Sequence, residues 1–152
     1  MMAVNSRNEM SIRFDSYSAN EGFARVAVAA FLADLDPTLD ELADVKTAVS
    51  EAVTNSIIHG YENRIGKIYV TCLKEKQQIQ IEVVDYGKGI EDVPKAKEPF
   101  YTTRPELERS GMGFAFMEAF MDDLEVESRL GEGTTVRMMK KVGTSSWIDS
   151  ED

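Results

Sequence analysis

The sequence predicts an α+β two-layer sandwich, a mainly antiparallel sheet covered on one face by helices. Three observations predict it. Several segments alternate apolar and polar residues with period two, and short polar turns join most of them, which is how antiparallel hairpins read. Three other stretches carry apolar residues at helical spacing. The elements run strand, two helices, two strands, a long irregular stretch, a helix and two strands, an order that suits one sheet with helices gathered on one side.

Residues Glu9 to Tyr17 alternate, with Met10, Ile12 and Phe14 on one face and Ser11, Arg13 and Asp15 on the other. This is the pattern of a half-buried strand. Ser18 and Glu21 have capping-box spacing, and the helix they would start places Phe23, Val26, Ala27, Ala30 and Phe31 on one stripe. Asp36-Pro37 reads as the start of a second helix, with Asp at the N-cap and Pro at the first helical position. Leu39, Leu42, Val45, Val49 and Val53 continue its stripe, and Gly60 is a natural stop. Strands follow at Lys67–Lys74 and Ile79–Val84 around a polar turn at Lys76-Gln77. From Asp85 to Gly111 no period is visible, and Pro94, Pro99 and Pro105 interrupt the chain. A stretch of that length inside a compact domain is usually functional. A short helix from about Met112 to Met121 and strands at Leu124–Ser128 and Thr134–Lys141 complete the pattern.

The chain has 152 residues, of which 43% are hydrophobic. That predicts one compact domain over 1–152, with 1–8 and 143–152 as flexible ends. The formal net charge is −10. An acidic chain repels phosphate backbones, which argues against direct nucleic acid and against an anionic membrane, and fits a basic protein partner or a nucleotide held locally by backbone N–H groups and Mg²⁺. The single cysteine, Cys72, lies in an expected strand. It excludes an intramolecular disulfide and reads as a small core residue in a reducing compartment. No apolar run approaches the ~18 residues of a membrane span, and the start of the chain is polar, so the expected location is the cytoplasm.

Familiar nucleotide motifs fail. Gly60 to Lys67 has five residues between its glycines and Ile68 where a P-loop needs Ser or Thr. Gly87-Lys-Gly89 lacks the third glycine of a dinucleotide fingerprint. One histidine and one cysteine make a soft-ligand metal site improbable. Four spaced segments remain. Glu51 and Asn55 stand at i and i+4 on the second helix, so a carboxylate and an amide share one face. That face suits a metal ion and a hydroxyl, and it equally suits plain solvation. Asp85-Tyr-Gly87-Lys-Gly89 follows an apolar strand, so an acid at a strand end could accept from a ligand amine while the glycines admit close approach. The same string also suits an ordinary turn. Gly111-Met-Gly113 stands before a helix and could expose N–H donors to a phosphate, or simply close a loop. Gly133-Thr134-Thr135 opens the last strand and alone reads as a hairpin turn.

Together and in this order, the four segments resemble the GHKL ATPase superfamily, which includes gyrase and the histidine kinases. The strings SEAVTNSIIHGY, FYTTRPELERSGMGF and MEAFMDDLEVES are similar to the anti-sigma serine-kinase group of endospore-forming bacteria. The likeness extends over about 8–141.

The resemblance implies a sheet and helices of the GHKL (Bergerat) type and a set of roles. Glu51 would orient or deprotonate an attacking serine hydroxyl. Asn55 would hold Mg²⁺ on the phosphates of ATP or ADP. Asp85 would accept from the adenine amine, with Thr134 or Thr135 nearby through water, and Gly87 and Gly89 would shape that pocket. Gly111, Met112 and Gly113 would sit at the phosphates. Residues Pro94 to Ser110 would form a lid that brings Thr102, Thr103, Arg104 and Ser110 to the nucleotide, with Arg109 offsetting γ-phosphate charge. Arg25 would touch both a sporulation sigma factor and the anti-anti-sigma substrate, and the chain would be a homodimer. Tyr86 and Tyr101 have no assigned role.

Of the remaining residues, His59 reads as a structural residue at the helix end, and Met112, Met117 and Met121 as core. Trp147 sits in a polar tail. Asp34, Asp36, Asp40, Glu41 and Asp44 either face a basic partner or are merely solvated.

Overall fold

A computed structural model describes residues 7–98 and 113–143. The chain runs β1 (Asn8–Asp15), α1 (Ala19–Leu32), α2 (Leu39–Asn55), β2 (Lys67–Glu75), β3 (Gln78–Asp85), α3 (Val93–Ala96), α4 (Gly113–Phe120), β4 (Asp123–Arg129) and β5 (Gly133–Lys141). The five strands form one sheet in the order β1-β2-β3-β5-β4. Every neighbouring pair is antiparallel.

Alternation fixes which face is buried. Phe14, Ile68, Val70, Cys72, Ile79, Ile81, Val83, Val136 and Met138 point to one side and are 9% exposed or less. Ala48, Val49, Ala52 and Val53 of α2, Val28 and Leu32 of α1, and Met117 of α4 close over them. Burial pushes the Cys72 thiol up to about 12 from its usual 9.0. The other face is a polar ladder, with Ser11 bonded to Thr71 at 3.0 Å and Arg137 bonded to Glu82 at 3.0 Å and Glu127 at 2.9 Å.

Two lysines on the core face anchor helix ends. Lys74 Nζ donates to Phe31 O at 2.6 Å, lies 4.3 Å from the centre of the Phe31 ring and pairs with Asp34. Lys140 Nζ donates to Phe120 O at 2.7 Å and stands 3.8 Å from Asp44. Each places a cation on the carbonyl-rich end of a helix, where the helix dipole favours it. Two of the acidic positions expected to face solvent or a partner are therefore paired within the chain.

Several expectations are corrected. Ser18 makes no side-chain cap bond; the Glu21 carboxylate instead accepts from the Ser50 hydroxyl and ties α1 to α2. On α1 the buried stripe is Ala24, Val28 and Leu32, while Phe23 and Val26 are each 62% exposed. The helix carries two apolar stripes, and periodicity alone does not say which one faces inward. The N-cap of α2 is Thr38, not Asp36. Thr38 Oγ1 accepts from Glu41 N–H at 3.1 Å, and Glu41 Oε1 accepts from Thr38 N–H at 2.8 Å, a complete capping box. Asp36 lies two residues before that box, in the left-handed region at φ 54°.

A short α3 forms within the stretch expected to be irregular. Asp92 Oδ1 caps it by accepting from Lys95 N–H at 3.1 Å. Gly143, expected to belong to a frayed tail, is buried and donates its N–H to Glu41 Oε1 at 3.0 Å. Trp147 lies outside the described residues.

Candidate nucleotide site

Asp85 ends β3 on the buried face, because Ile79, Ile81 and Val83 precede it in steps of two. It is 3% exposed. Its Oδ2 accepts from the Ser56 hydroxyl at 2.7 Å and its Oδ1 from Gly87 N–H at 2.9 Å. Desolvation pushes its carboxyl above the usual 3.8, and these bonds, with one from Thr134 N–H, partly oppose the rise. An ionised carboxylate offers about four acceptor positions. The Ser56 and Gly87 bonds leave acceptor capacity for a ligand.

Ser56 reaches Asp85 because it continues the buried stripe of α2, four residues after Ala52 and three after Val53, with its N–H still bonded to Ala52 O and Val53 O. After Asn55 the backbone widens into a π-turn, Ser56–Gly60, closed by Tyr61 N–H on Ser56 O at 3.0 Å. Such turns recur at functional sites. Asn55, Ser56 and His59 all face one cleft. That cleft is lined by Asn55, Ser56, His59, Asp85, Gly89 and Thr134 among others. His59 continues the spacing of Glu51 and Asn55 by one more step of four and lines the cleft. Asn55 Nδ2 is buried with no partner among the described residues, and a polar atom left so costs about 1–3 kcal/mol. Glu51 is half-buried one turn earlier on the same helix face.

The glycines pack backbones together at the cleft. A Cβ on Gly87 would lie 2.2 Å from Gly60 O, so the loop after β3 rests directly on the end of the π-turn. Gly133 sits at φ +110°, and a Cβ there would lie 2.1 Å from Asp85 O. Gly133→Ala therefore combines backbone strain with a clash against backbone that cannot move. It is expected to destabilise the fold by at least ~2 kcal/mol, lowering Tm by about 4–8 °C in a thermal melt.

Ser128, which sequence reasoning missed, joins the two loops. Its hydroxyl accepts from Ile90 N–H at 2.7 Å, donates to Gly133 O at 3.0 Å and shares a hydrogen bond with the Thr134 hydroxyl at 2.7 Å. Thr134 pairs with Asp85 across β3 and β5, and Thr135 pairs with Val84. Only Thr134 shares the Asp85 face; Thr135 points to the opposite side of the sheet, which corrects its expected place at the nucleotide.

Gly113 opens α4, and Phe114 beside it lines the cleft. Thr102, Thr103, Arg104, Arg109, Ser110, Gly111 and Met112 lie outside the described residues. Arg25 is half-buried on α1 between the exposed Phe23 and Val26, on another element from the cleft.

Residues 17–140 match the histidine kinase-like ATPase domain family. An anti-sigma F factor from Thermoanaerobacter sp. strain X514 is 61% identical over 137 residues, 90% of this chain and 96% of that protein. This chain belongs to the anti-sigma F factor family of histidine kinase-like ATPase domains. An anti-sigma F factor from Clostridium botulinum strain Eklund 17B is 64% identical over 88% of this chain and 94% of its own length. One from Anoxybacillus flavithermus is 56% identical over 91% and 96%. A crystal structure of the RsbU and RsbW domains of a Mycobacterium tuberculosis protein shares the fold, with a TM-score of 0.65, 21% identity, and coverage of 89% of this chain and 32% of that one. The sandwich is thus of the GHKL type. Among the described residues no helix is long and apolar enough to cross a membrane.

Proposed function

We propose that this chain binds MgATP in the cleft between the end of α2 and the end of β3, phosphorylates a serine on an anti-anti-sigma factor, and holds a sporulation sigma factor as a cytoplasmic homodimer. The observation that carries the reading is the buried Asp85 carboxylate, pinned by Ser56 and Gly87 and left with acceptor capacity for a ligand. An adenine amine is a donor of the right kind for it. Ser56 and Gly87 aim the carboxylate, and Thr134 and Ser128 fix the opposing loop.

The unpartnered Asn55 Nδ2 is a donor and fits a phosphate oxygen that arrives with the ligand. Magnesium needs few protein ligands when phosphate oxygens supply the others, and the Asn55 amide oxygen would be one of them. When bound, the ion would neutralise charge on the phosphates. Glu51, one turn earlier, would accept the proton of the attacking serine hydroxyl as its oxygen forms the new bond to phosphorus and ADP leaves. Positioning and electrostatics supply most of the rate in such transfers.

Incubating the protein with γ-labelled ATP and an anti-anti-sigma substrate tests this. Label on a serine of the substrate is the expected outcome. Nucleotide uptake without transfer would leave a nucleotide-dependent binding module in place of a kinase.

A pH dependence follows from Asp85. Its folded pKa is raised above 3.8, so its own contribution to stability is fullest below pH 3.8 and is lost as pH rises through the folded value. The ionised form is the stronger acceptor for an amine, so affinity moves the other way. ATP affinity is expected to fall on acidification, and to begin falling at a higher pH than an ordinary aspartate would give. Titration calorimetry between pH 7.5 and about 5 checks the direction.

A further inference from the structure

We propose that Tyr61 is a positioning residue whose hydroxyl ends the β2–β3 ladder and sets the loop that carries adenine recognition. The inference rests on the nucleotide reading of the cleft.

The register of β2 and β3 pairs Ile68 with Asp85. One step further along the same register, the next rung would join Lys67 and Tyr86. That rung does not form. Tyr86 N–H donates to Tyr61 Oη at 2.9 Å, and Tyr61 Oη donates to Lys67 O at 2.5 Å. A phenol hydroxyl both donates and accepts, so it can take the place between the two backbone groups that would otherwise have bonded to each other. The strands part at this point.

The parting matters because Tyr86 lies between Asp85 and Gly87. Were the ladder to continue, Tyr86 and Gly87 would stay in extended conformation. Instead the chain turns, Gly87 N–H reaches back to Asp85 Oδ1 at 2.9 Å, and Lys88 N–H reaches Gly60 O at 2.9 Å. Tyr61 follows Gly60 directly, so its backbone and side chain hold the same loop from two sides. Tyr69 adds an edge-to-face contact with Tyr86, with ring centres 5.8 Å apart. Burial raises the Tyr61 pKa above 10.0, which keeps the hydroxyl protonated and able to play both parts at physiological pH.

Tyr61→Phe removes the oxygen and keeps the ring. The expected result is a rise of about tenfold in the dissociation constants of both ATP and ADP, measured well below the Tm of the variant. The factor should be the same for the two nucleotides, because the loop sits at the base and not at the γ-phosphate. A purely structural role would lower Tm and leave both constants unchanged, and that result would overturn the proposal, as would a loss confined to ATP.

Hydrogen exchange on the unmodified protein keeps the test open should the variant fail to fold. The Tyr86 amide is expected to be protected like those of β3, and exchange at the rate of a free loop would refute the inserted hydroxyl. Should the unmodified protein bind neither nucleotide, the nucleotide reading fails, while the exchange measurement still judges whether Tyr61 ends the ladder.

Discussion

Glu51→Ala is expected to lower the rate of serine phosphorylation by about 10²–10⁴-fold, the usual loss on removing a general base, and to leave ATP affinity within about twofold. Alanine is the best helix former, and α2 is fixed at its start by the Thr38–Glu41 box and along its length by buried Val45, Ala48, Val49, Ala52 and Val53. The loss should therefore reflect the missing carboxylate and not a displaced helix. Asn55→Ala makes the contrast, because it should weaken nucleotide binding itself, and only when magnesium is present. Single-turnover transfer and titration calorimetry separate the two. A Glu51→Ala protein that transferred phosphate at the full rate would remove Glu51 from the chemistry.

Asp85→Asn is expected to raise the dissociation constant of ATP by at least about a hundredfold. The change is nearly isosteric, so the cavity is preserved, but an amide presents two hydrogens where the carboxylate only accepted. Ser56 O–H donates to one carboxylate oxygen and Gly87 N–H to the other, so an amide nitrogen must confront one of them. Each buried polar group left unpaired costs about 1–3 kcal/mol, and a ligand amine would meet a donor in place of an acceptor. Equilibrium binding of ATP and ADP checks the size of the effect, and circular dichroism confirms that the sheet is intact. Unchanged affinity would mean that the base is read elsewhere.

The sheet was largely legible because its signal is local. Steps of two from Phe14, Ile68, Ile79 and Val136 select the buried face of each strand, and the same parity places Asp85 at a buried strand end. It also decides between Thr134 and Thr135, since counting back by two from buried Val136 lands on Thr134. The roles of Glu51 and Asn55 came from their resemblance to a known family, and spacing alone would have left them on a solvated face. Other features could not be read. The two apolar stripes of α1 satisfy the same period, and only packing against the rest of the molecule selects Ala24 over Phe23. The π-turn leaves no mark in composition. Ser128 and Tyr61 act through backbone groups far away in sequence, and no local pattern announces such bonds. Thr38 was overlooked because Asp36-Pro37 offered a start two residues earlier, and only a reciprocal bond to Glu41 distinguishes them.

The burial of Cys72 has a practical consequence. Its thiol is pushed from 9.0 to about 12, so at neutral pH it holds roughly a thousandfold less thiolate than a free cysteine. It is also the only cysteine in the chain. A maleimide dye should therefore pass over the native protein and attach to a single cysteine introduced at Leu39, which is 85% exposed. That position lies at the far end of a 17-residue helix from Asn55, about 25 Å from the cleft, close enough to report on a fluorescent nucleotide by energy transfer and too far to touch it.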